Sequence, residues 1–499
     1  MIIRINGNVK PYYIETLAMI FFPGAKFPEG ETEAPDVPCL TLDMEESEDG
    51  VRSAVTITSD GRSSSGEAFT AWRKDGDMEF TRKLSSGEAV LKAGIAHTGY
   101  TPPWGILTGV RPAKVATELL DGGMTVEAAA DHISCEYFVR NNKARLAAEV
   151  AKIEKSLITD SVRRECSVYI GIPFCPTRCA YCSFVSYTSP GLLKLIPDYL
   201  TALCRDIDNV FDVISELGMS VASVYIGGGT PTILTPEQLR ILLGCLDGRL
   251  GAHGSVREFT VEAGRPDTIT EEKLAVLANY GVNRISVNTQ TLNDDVLRAI
   301  GRAHDSAMFY RAYETAIRSG IRDINVDLIA GLPHDTVESF RDTVDRIIGL
   351  DPANITVHTF SVKRSAELRS EGVFDRSGEI ATQSVDYSQF AVPNAGYRPY
   401  YMYRQKNTVG NLENVGYAKP SREGLYNVYM MEEVHSIFAC GASSVSKFVS
   451  LPEASQNGVR IERVAEPKYP YEYLRDHDGE AGQSRRDLLR NSALEFFAK

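Results

Sequence analysis

The chain has 499 residues, 43% of them hydrophobic, which is enough material for two or three packed domains and too apolar for a disordered or fibrous chain. A net charge of -13 and a pI near 5.3 argue against non-specific binding to nucleic acid or to an anionic membrane surface, because both need clustered Lys and Arg. The most apolar N-terminal run, Leu17 to Phe22, lacks a basic flank and a small-residue cleavage site, and no apolar run approaches the roughly 18 residues of a membrane span, so a soluble cytoplasmic protein is expected.

From Met1 to about Lys92, short strand-like runs such as Cys39 to Leu42 and Val51 to Thr58 are separated by acidic and Ser/Gly-rich turns, which predicts a small α+β domain. After the loop TPPWGILTGVRP the pattern becomes helical from about Val126 to Ile158. From Ser167 to about Phe360 strands alternate with helices. The strand candidates are SVYIGI (167–172), VASVYI (221–226), EFTVEA (258–263), RISVNT (284–289), INVDLI (324–329) and NITVHT (354–359). Helices are expected at Tyr199 to Leu217, Pro236 to Leu246, Glu271 to Tyr280, Ser306 to Arg318 and Val337 to Ile348. Apolar strands alternating with amphipathic helices make parallel βα units whose sheet is covered by the helices. The expected fold is α/β: an N-terminal α+β domain with a helical linker over 1–160, a partial (βα)6 TIM-like barrel over 161–385, and a C-terminal α+β extension over 386–499. Chemistry in βα barrels sits at the C-terminal ends of the strands.

Nine cysteines are present, and six of them (Cys39, Cys135, Cys166, Cys204, Cys245 and Cys440) are scattered singly. That is no disulfide framework, and each is expected to be a small buried hydrophobe. The other three stand together in CPTRCAYC as Cys175, Cys179 and Cys182, directly after the first barrel strand. A structural zinc site wants four ligands, and only the lone Cys166 lies upstream. A redox CxxC is present in Cys179 and Cys182, but a third cysteine intrudes. Three thiolates from one tight loop suit a 4Fe-4S cubane, each holding one iron and leaving the fourth iron open.

The CxxxCxxC loop in this setting resembles the radical S-adenosylmethionine (SAM) superfamily, in which the open iron is implied to chelate the amino and carboxylate groups of SAM. The words YIGIPFCPTRCAYCSF, YIGGGTPT, RISVNTQ and NVDLIAGLPHDT resemble the oxygen-independent coproporphyrinogen III oxidases and their relatives. With WGILTGVRPAK and NVGYAKPSREGLYNVYMMEE added, the chain resembles the HemZ-type coproporphyrinogen dehydrogenases within that family.

The resemblance implies that Cys175, Cys179 and Cys182 hold the cluster. It implies that Tyr169 contacts the bound SAM and that Tyr181 packs on its adenine. Gly229, Thr230 and Pro231 end the second strand, where glycine lets backbone approach a ligand. Glu262, Gln290 and Asp327 lie at or near the C-terminal ends of three different strands and match SAM-binding residues. Arg302 matches an arginine that grips a SAM carboxylate in bidentate fashion.

The implied reaction is oxidative decarboxylation. One electron enters the cluster, SAM is split, and the resulting 5'-deoxyadenosyl radical takes hydrogen from a propionate of coproporphyrinogen III, which loses carbon dioxide and a further electron to become vinyl. A tetrapyrrole substrate and an electron donor such as a flavodoxin or ferredoxin are the implied partners. Two departures from the established oxidases stand out. Phe184 occupies the position where they carry a further cysteine, a form shared with haem-chaperone relatives, and Gly171 stands where they carry histidine. Haem binding or transfer, and another radical modification of a tetrapyrrole, are the alternative functions.

The segment Tyr397 to Arg422 holds five tyrosines, three arginines and two lysines. Arg398, Arg404, Lys406, Lys419 and Arg422 are expected either to meet the carboxylates of a tetra-anionic substrate or to be solvated side chains of a strand pair.

Overall fold

A computed structural model describes residues 1–498 apart from 29–36, 74–75, 110, 183–185, 255, 362–377, 406–407 and 451–458. Two compact units result, one formed by Met1–Lys152 with Met402–Glu413, the other by Ile153–Tyr401 with Asn414–Lys499. The contacts part the chain between Lys152 and Ile153, and most of 386–499 shares a unit with the parallel strands.

In the first unit β1 (Ile2–Asn6), β2 (Cys39–Glu46), β3 (Gly50–Ser59) and β4 (Arg62–Ala71) form one sheet in that order. β3 alternates buried and exposed positions, so Val51, Val55 and Ile57 face helices while Arg52 and Thr56 face water. Helices α1 (Pro11–Phe21) and α2 (Met78–Thr98) cover that face with Ile14, Leu17, Val90 and Ala93. Leu17 to Phe22 thus belongs mostly to a packed helix. The region read as strands up to Lys92 ends instead in α2, whose start Asp77 caps through the backbone N of Phe80. Next come α3 (Pro112–Asp121), α4 (Val126–Tyr137) and α5 (Asn141–Leu157), so the single helical stretch expected over 126–158 is two helices. The break is at Phe138, left-handed at φ 57°, where the Tyr137 carbonyl leaves the helix to accept a bond from the Ile106 backbone N at 2.9 Å.

The second unit carries the parallel array: β5 (Glu165–Ile172), β6 (Ser220–Gly228), β7 (Glu258–Glu262), β8 (Arg284–Ser286), β9 (Asp323–Ala330) and β10 (Asn354–Thr359). The helices between them are α6 (Pro190–Leu193), α7 (Ile196–Glu216), α8 (Pro236–Leu250), α9 (Glu271–Asn279), α10 (Asp294–Ala299), α11 (Ser306–Arg318) and α12 (Val337–Gly349). On α7 Tyr199, Leu203, Val210 and Ile214 recur at helical spacing and are buried, which fixes the helix against the sheet. Side chains of Thr235, Thr270, Asp305 and Thr336 cap the helices that follow β6, β7, β8 and β9, so each chain reversal beyond a strand end is hydrogen-bonded.

Five of the six strand words match strands within two residues at either end. RISVNT keeps only Arg284–Ser286 as strand; the chain leaves the ladder and returns at Gln290, whose φ of 68° lets it bridge Leu328. After α13 (Glu379–Asn394), β11 (Arg398–Arg404), β12 (Glu413–Ala418), α14 (Leu425–Glu432), β13 (Ser436–Cys440), β14 (Val445–Val449) and β15 (Ile461–Ala465) extend the same sheet, and α15 (Pro470–Leu474) and α16 (Glu480–Ala498) end the chain. The order is β11-β12-β10-β9-β8-β7-β6-β5-β13-β14-β15, an open sheet with six parallel βα strands at its centre. This is the partial (βα)6 TIM-like array expected, with α+β segments before and after it. Fully buried Val168, Ile170, Ile172, Val224, Val261, Ile285 and Val326 form its core, each burial contributing about 1.5–3 kcal/mol relative to exposure.

One cysteine expectation is overturned. Cys204 on α7 and Cys245 on α8 are joined by a disulfide, because the crossovers behind β5 and β6 pack side by side and bring positions 41 residues apart face to face. Cys166 and Cys440 are buried as expected, whereas Cys135 is exposed.

Candidate active site at the strand C-termini

The cysteine loop leaves β5 at Ile172 and is pinned from both sides. The Thr230 backbone N donates to Phe174 O at 2.8 Å, the Gly229 N donates to Ile172 O at 2.8 Å, and the Ala180 N donates to Ile300 O at 3.1 Å. Gly229 has no room for a side chain, since a Cβ would lie 2.4 Å from the Phe174 carbonyl oxygen. Thr230 then turns its hydroxyl to Cys175 Sγ at 3.2 Å, and Pro231 opens a 3-10 turn. The run Gly229-Thr230-Pro231 therefore forms the floor under the first cysteine.

Cys182 N donates to Cys179 O at 3.0 Å, closing the loop on itself. Burial pushes the Cys175 thiol above its ordinary pKa; the Thr230 hydroxyl pulls the other way, and Cys182 and Cys179 add to the rise. Three thiols from one loop are chemically a cation or cluster site, since a bound metal makes neighbouring thiolates favourable. Among the described residues no three His, Cys, Asp or Glu side chains are grouped as ligands of a single metal ion. Three thiols in one loop fit a cluster with one open iron better than they fit a structural zinc, which wants four ligands.

Beside the loop, Arg302 is 8% exposed; its Nη2 donates to Gln290 Oε1 and its Nη1 to Gly264 O at 3.1 Å, while Nε has no hydrogen-bond partner. Tyr181, half-buried, interacts with Arg302 and Cys179, and burial raises its phenol far above the ordinary value. Glu262 ends β7 and accepts a hydrogen bond from Tyr225. Its pKa is pushed up to about 7, chiefly by burial, with Asp327 adding to the rise against the Tyr225 bond and His358. Asp327 accepts from Asn288 Nδ2 and Asn325 Nδ2, both at 2.7 Å, and lies 3.8 Å from His358 Nε2. Burial pulls its pKa upward, but His358, Asn325 and Thr356 outweigh it and hold the carboxyl below the usual range. Tyr169 stacks at 6.1 Å on Tyr225, its register partner on β6, and Tyr225 stacks at 4.4 Å on Tyr426 of α14.

The structure therefore gathers the sequence-derived residues into two adjoining groups at one end of the array: Cys179, Tyr181, Gln290 and Arg302, and Tyr169, Glu262 and Asp327. No motif in the sequence singles out Tyr426, Asn288, Asn325, His358, Arg265 or His304, and Tyr225 is marked only by a repeated word. The recurrence of the word VYIG in both β5 and β6 was the available signal for Tyr225, because equal offsets before a glycine predict equal registers.

A Cβ on Gly171 would lie 3.2 Å from Ala442 O, and Gly171 O accepts from Tyr199 Oη at 2.7 Å, so the turn after β13 takes up the space an imidazole would need. Of the basic residues after the barrel, Lys419, Arg422 and Arg398 lie at the opposite ends of the strands. β12 runs antiparallel to β10 with Ala418 opposite Asn354, which puts Lys419 and Arg422 at the N-terminal ends of the strands. There Lys419 bonds Asp351 O at 2.8 Å and Arg422 Nη1 bonds Asp323 Oδ1 at 3.0 Å. Arg404 is buried in the first unit, donating to Leu107 O at 2.6 Å and Asn411 Oδ1 at 2.7 Å. Arg398 lines a cavity of about 440 Å³ beside Arg257, Arg322 and Glu423, again at the N-terminal ends. The strand-pair reading of these residues is the one the geometry favours. Phe184 and Lys406 lie outside the described residues.

Comparison with known proteins agrees with the motifs. The Radical SAM superfamily profile matches residues 169–347. The chain is 40% identical over 382 residues to the oxygen-independent coproporphyrinogen-III oxidase-like protein HemZ of Bacillus subtilis (strain 168), covering 76% of this chain and 75% of that protein. It is 36% identical over 198 residues to the heme chaperone HemW of the same organism, covering 40% and 51%. Among solved structures, coproporphyrinogen III oxidase (HemN) from Escherichia coli aligns with 66% of this chain and 72% of its own at 22% identity, with a TM-score of 0.49. No helix among the described residues is long and apolar enough to cross a membrane. The three-cysteine loop on an open βα array and the long match to HemZ lead to one conclusion: the chain belongs to the radical SAM superfamily, in the HemZ family of oxygen-independent coproporphyrinogen-III oxidase-like proteins, and shares that superfamily's 4Fe-4S cluster and SAM.

Proposed function

We propose that the protein is a cytoplasmic radical SAM oxidoreductase that converts propionates of coproporphyrinogen III to vinyl groups without oxygen, drawing electrons from a flavodoxin or ferredoxin. The observation that carries this reading is the convergence of the cysteine loop, the Arg302–Gln290 pair and the Glu262 and Asp327 carboxylates on one end of one array. Cys175, Cys179 and Cys182 would hold the cluster. When bound, cluster and SAM supply a one-electron cleavage that yields a hydrogen-abstracting radical.

The chain's own residues bind and orient. Arg302, already aimed by Gln290 and Gly264, presents a guanidinium to a carboxylate. Asp327, held ionised by its neighbours, is the anion suited to an ammonium group. Glu262, poised near neutrality, can accept or donate a hydrogen bond to a hydroxyl as its own proton comes and goes. The Tyr169, Tyr225 and Tyr426 stack gives a flat aromatic wall that excludes water from the radical's path. Gly229, Thr230 and Pro231 bring backbone close beneath the ligand, and Tyr181 offers a ring beside Arg302.

Haem transfer is the second reading, favoured by the 36% identity to a heme chaperone over part of the chain. Anaerobically reconstituted protein, supplied with SAM, a reductant and coproporphyrinogen III, should form protoporphyrinogen with release of carbon dioxide. Stoichiometric haem binding without any turnover would replace the oxidase reading with the chaperone reading.

A further inference from the structure

Arg265 follows β7 by three residues and is 4% exposed, although nothing in its sequence setting asks for a buried cation. Its guanidinium is fully committed. Nε and Nη2 bond Asp267 at 3.0 and 3.3 Å, and Nη2 bonds Thr177 Oγ1 at 2.8 Å. Nη1 bonds Thr177 O at 3.3 Å and reaches Cys179 Sγ at 3.6 Å. Cys175 by contrast meets a neutral hydroxyl. A buried, charge-assisted donor thus points at one cysteine of the loop and spans its preceding turn.

We infer that Arg265 is a positioning residue for the cluster, fixing the Thr177–Cys179 turn and raising the cluster's reduction potential through an N–H···S bond to Cys179. Reduction adds a negative charge to the cluster, and a cation hydrogen-bonded to a ligand sulfur offsets that charge in a site where little water screens it. Asp267 has the opposite sign of effect: it anchors the guanidinium and partly cancels its charge. The inference rests on the assignment of Cys175, Cys179 and Cys182 as cluster ligands.

The test uses the full chain, reconstituted with iron and sulfide under argon, in a redox titration followed by electron paramagnetic resonance. Arg265→Met should keep its iron while its midpoint moves to a more negative potential. Arg265→Lys, which keeps the charge but not the planar fork, should fall between Met and wild type. Asp267→Asn should move the midpoint the other way. Equal midpoints for wild type and Arg265→Met would overturn the inference and leave Arg265 as a loop clamp. Should Arg265→Met take up no iron, Asp267→Asn decides alone: a positive shift supports the inference and an unchanged midpoint overturns it. Wild-type protein that binds no iron fails the ligand assignment itself and takes this inference with it, a result read from iron content before any potential is measured.

Discussion

The two ends of the same parallel strands hold similar buried polar residues and treat them differently. At the N-terminal ends Arg284, 5% exposed, meets Asn354, Asp323 at 3.4 Å, Glu258 at 3.7 Å and the carbonyls of Arg422 and Glu423 at 2.9 and 3.3 Å. Asp323 is answered also by Arg322 and Arg422, and Glu258 accepts the backbone N–H groups of Leu425 and Tyr426. At the C-terminal ends capacity is left over. Nε of Arg302, like Nε of Arg284, has no hydrogen-bond partner, but here both ring nitrogens of His304 lack one too, and the pKa of Glu262 is pushed up to about 7. Burial holds His304 neutral, its pKa lowered to about 4. A network of paired opposite charges locks strands together, whereas a buried imidazole without partners and an acid whose pKa is pushed up to about 7 are features common at ligand sites.

That contrast can be broken by mutation at either end. The largest effect belongs to the cysteines: replacing Cys175, Cys179 or Cys182 by Ala should abolish iron uptake and SAM cleavage, because two thiolates hold a cubane poorly. A triple variant that still carries a full complement of iron would refute it. At the opposite end, Arg284→Ala should cost about 3–5 kcal/mol in urea unfolding of the apo-protein, the scale for stranding buried carboxylates, with cluster uptake by the folded fraction unchanged. A loss under about 1 kcal/mol would erase the distinction between the ends.

Glu262 offers a sharper probe, through pH. Its folded pKa of about 7 exceeds that of an unfolded Glu, so the folded state binds the extra proton and stability falls as pH rises from about 4.5 to about 7. At roughly 1.4 kcal/mol per pKa unit the fall amounts to about 3 kcal/mol. Glu262→Gln should lack it, and the difference in unfolding free energy between the two proteins at pH 5 and pH 7.5 measures it. A difference that stays flat would show Glu262 to be an ordinary carboxylate. The smallest effect is expected for Arg302→Ala, which should weaken SAM binding by about 1.5–3 kcal/mol in calorimetry under argon while the cluster remains. Unchanged affinity would move the carboxylate site elsewhere.

Local signals carried much of the design. Strand and helix words from 167 to 360 were legible because each βα unit repeats its own periodicity, and the cysteine loop because its spacing is short. What was hidden depends on partners far apart in the chain. Tyr225 and Glu262 stand 37 residues apart, and Arg265 reaches back 86 residues to Cys179. The basic stretch from Tyr397 to Arg422 left two readings open for the same reason: composition allows an anion pocket or a strand pair, and only the antiparallel register of β12 carries Lys419 and Arg422 to the N-terminal ends of the strands. Charge can be counted in a sequence. Which end of a strand it reaches cannot.

The Cys204–Cys245 bond has a bearing on how such a protein lives with its own chemistry. By closing a loop of 41 residues it removes freedom from the unfolded chain that is worth about 4 kcal/mol in the chain-entropy account. A cluster of this kind works only when supplied with electrons, and an environment reducing enough to supply them also opens an accessible disulfide. Were a thiol reductant to reach the bond, the two helices at the back of the array would lose that fastening while the cysteine loop at the front kept its own hydrogen bonds.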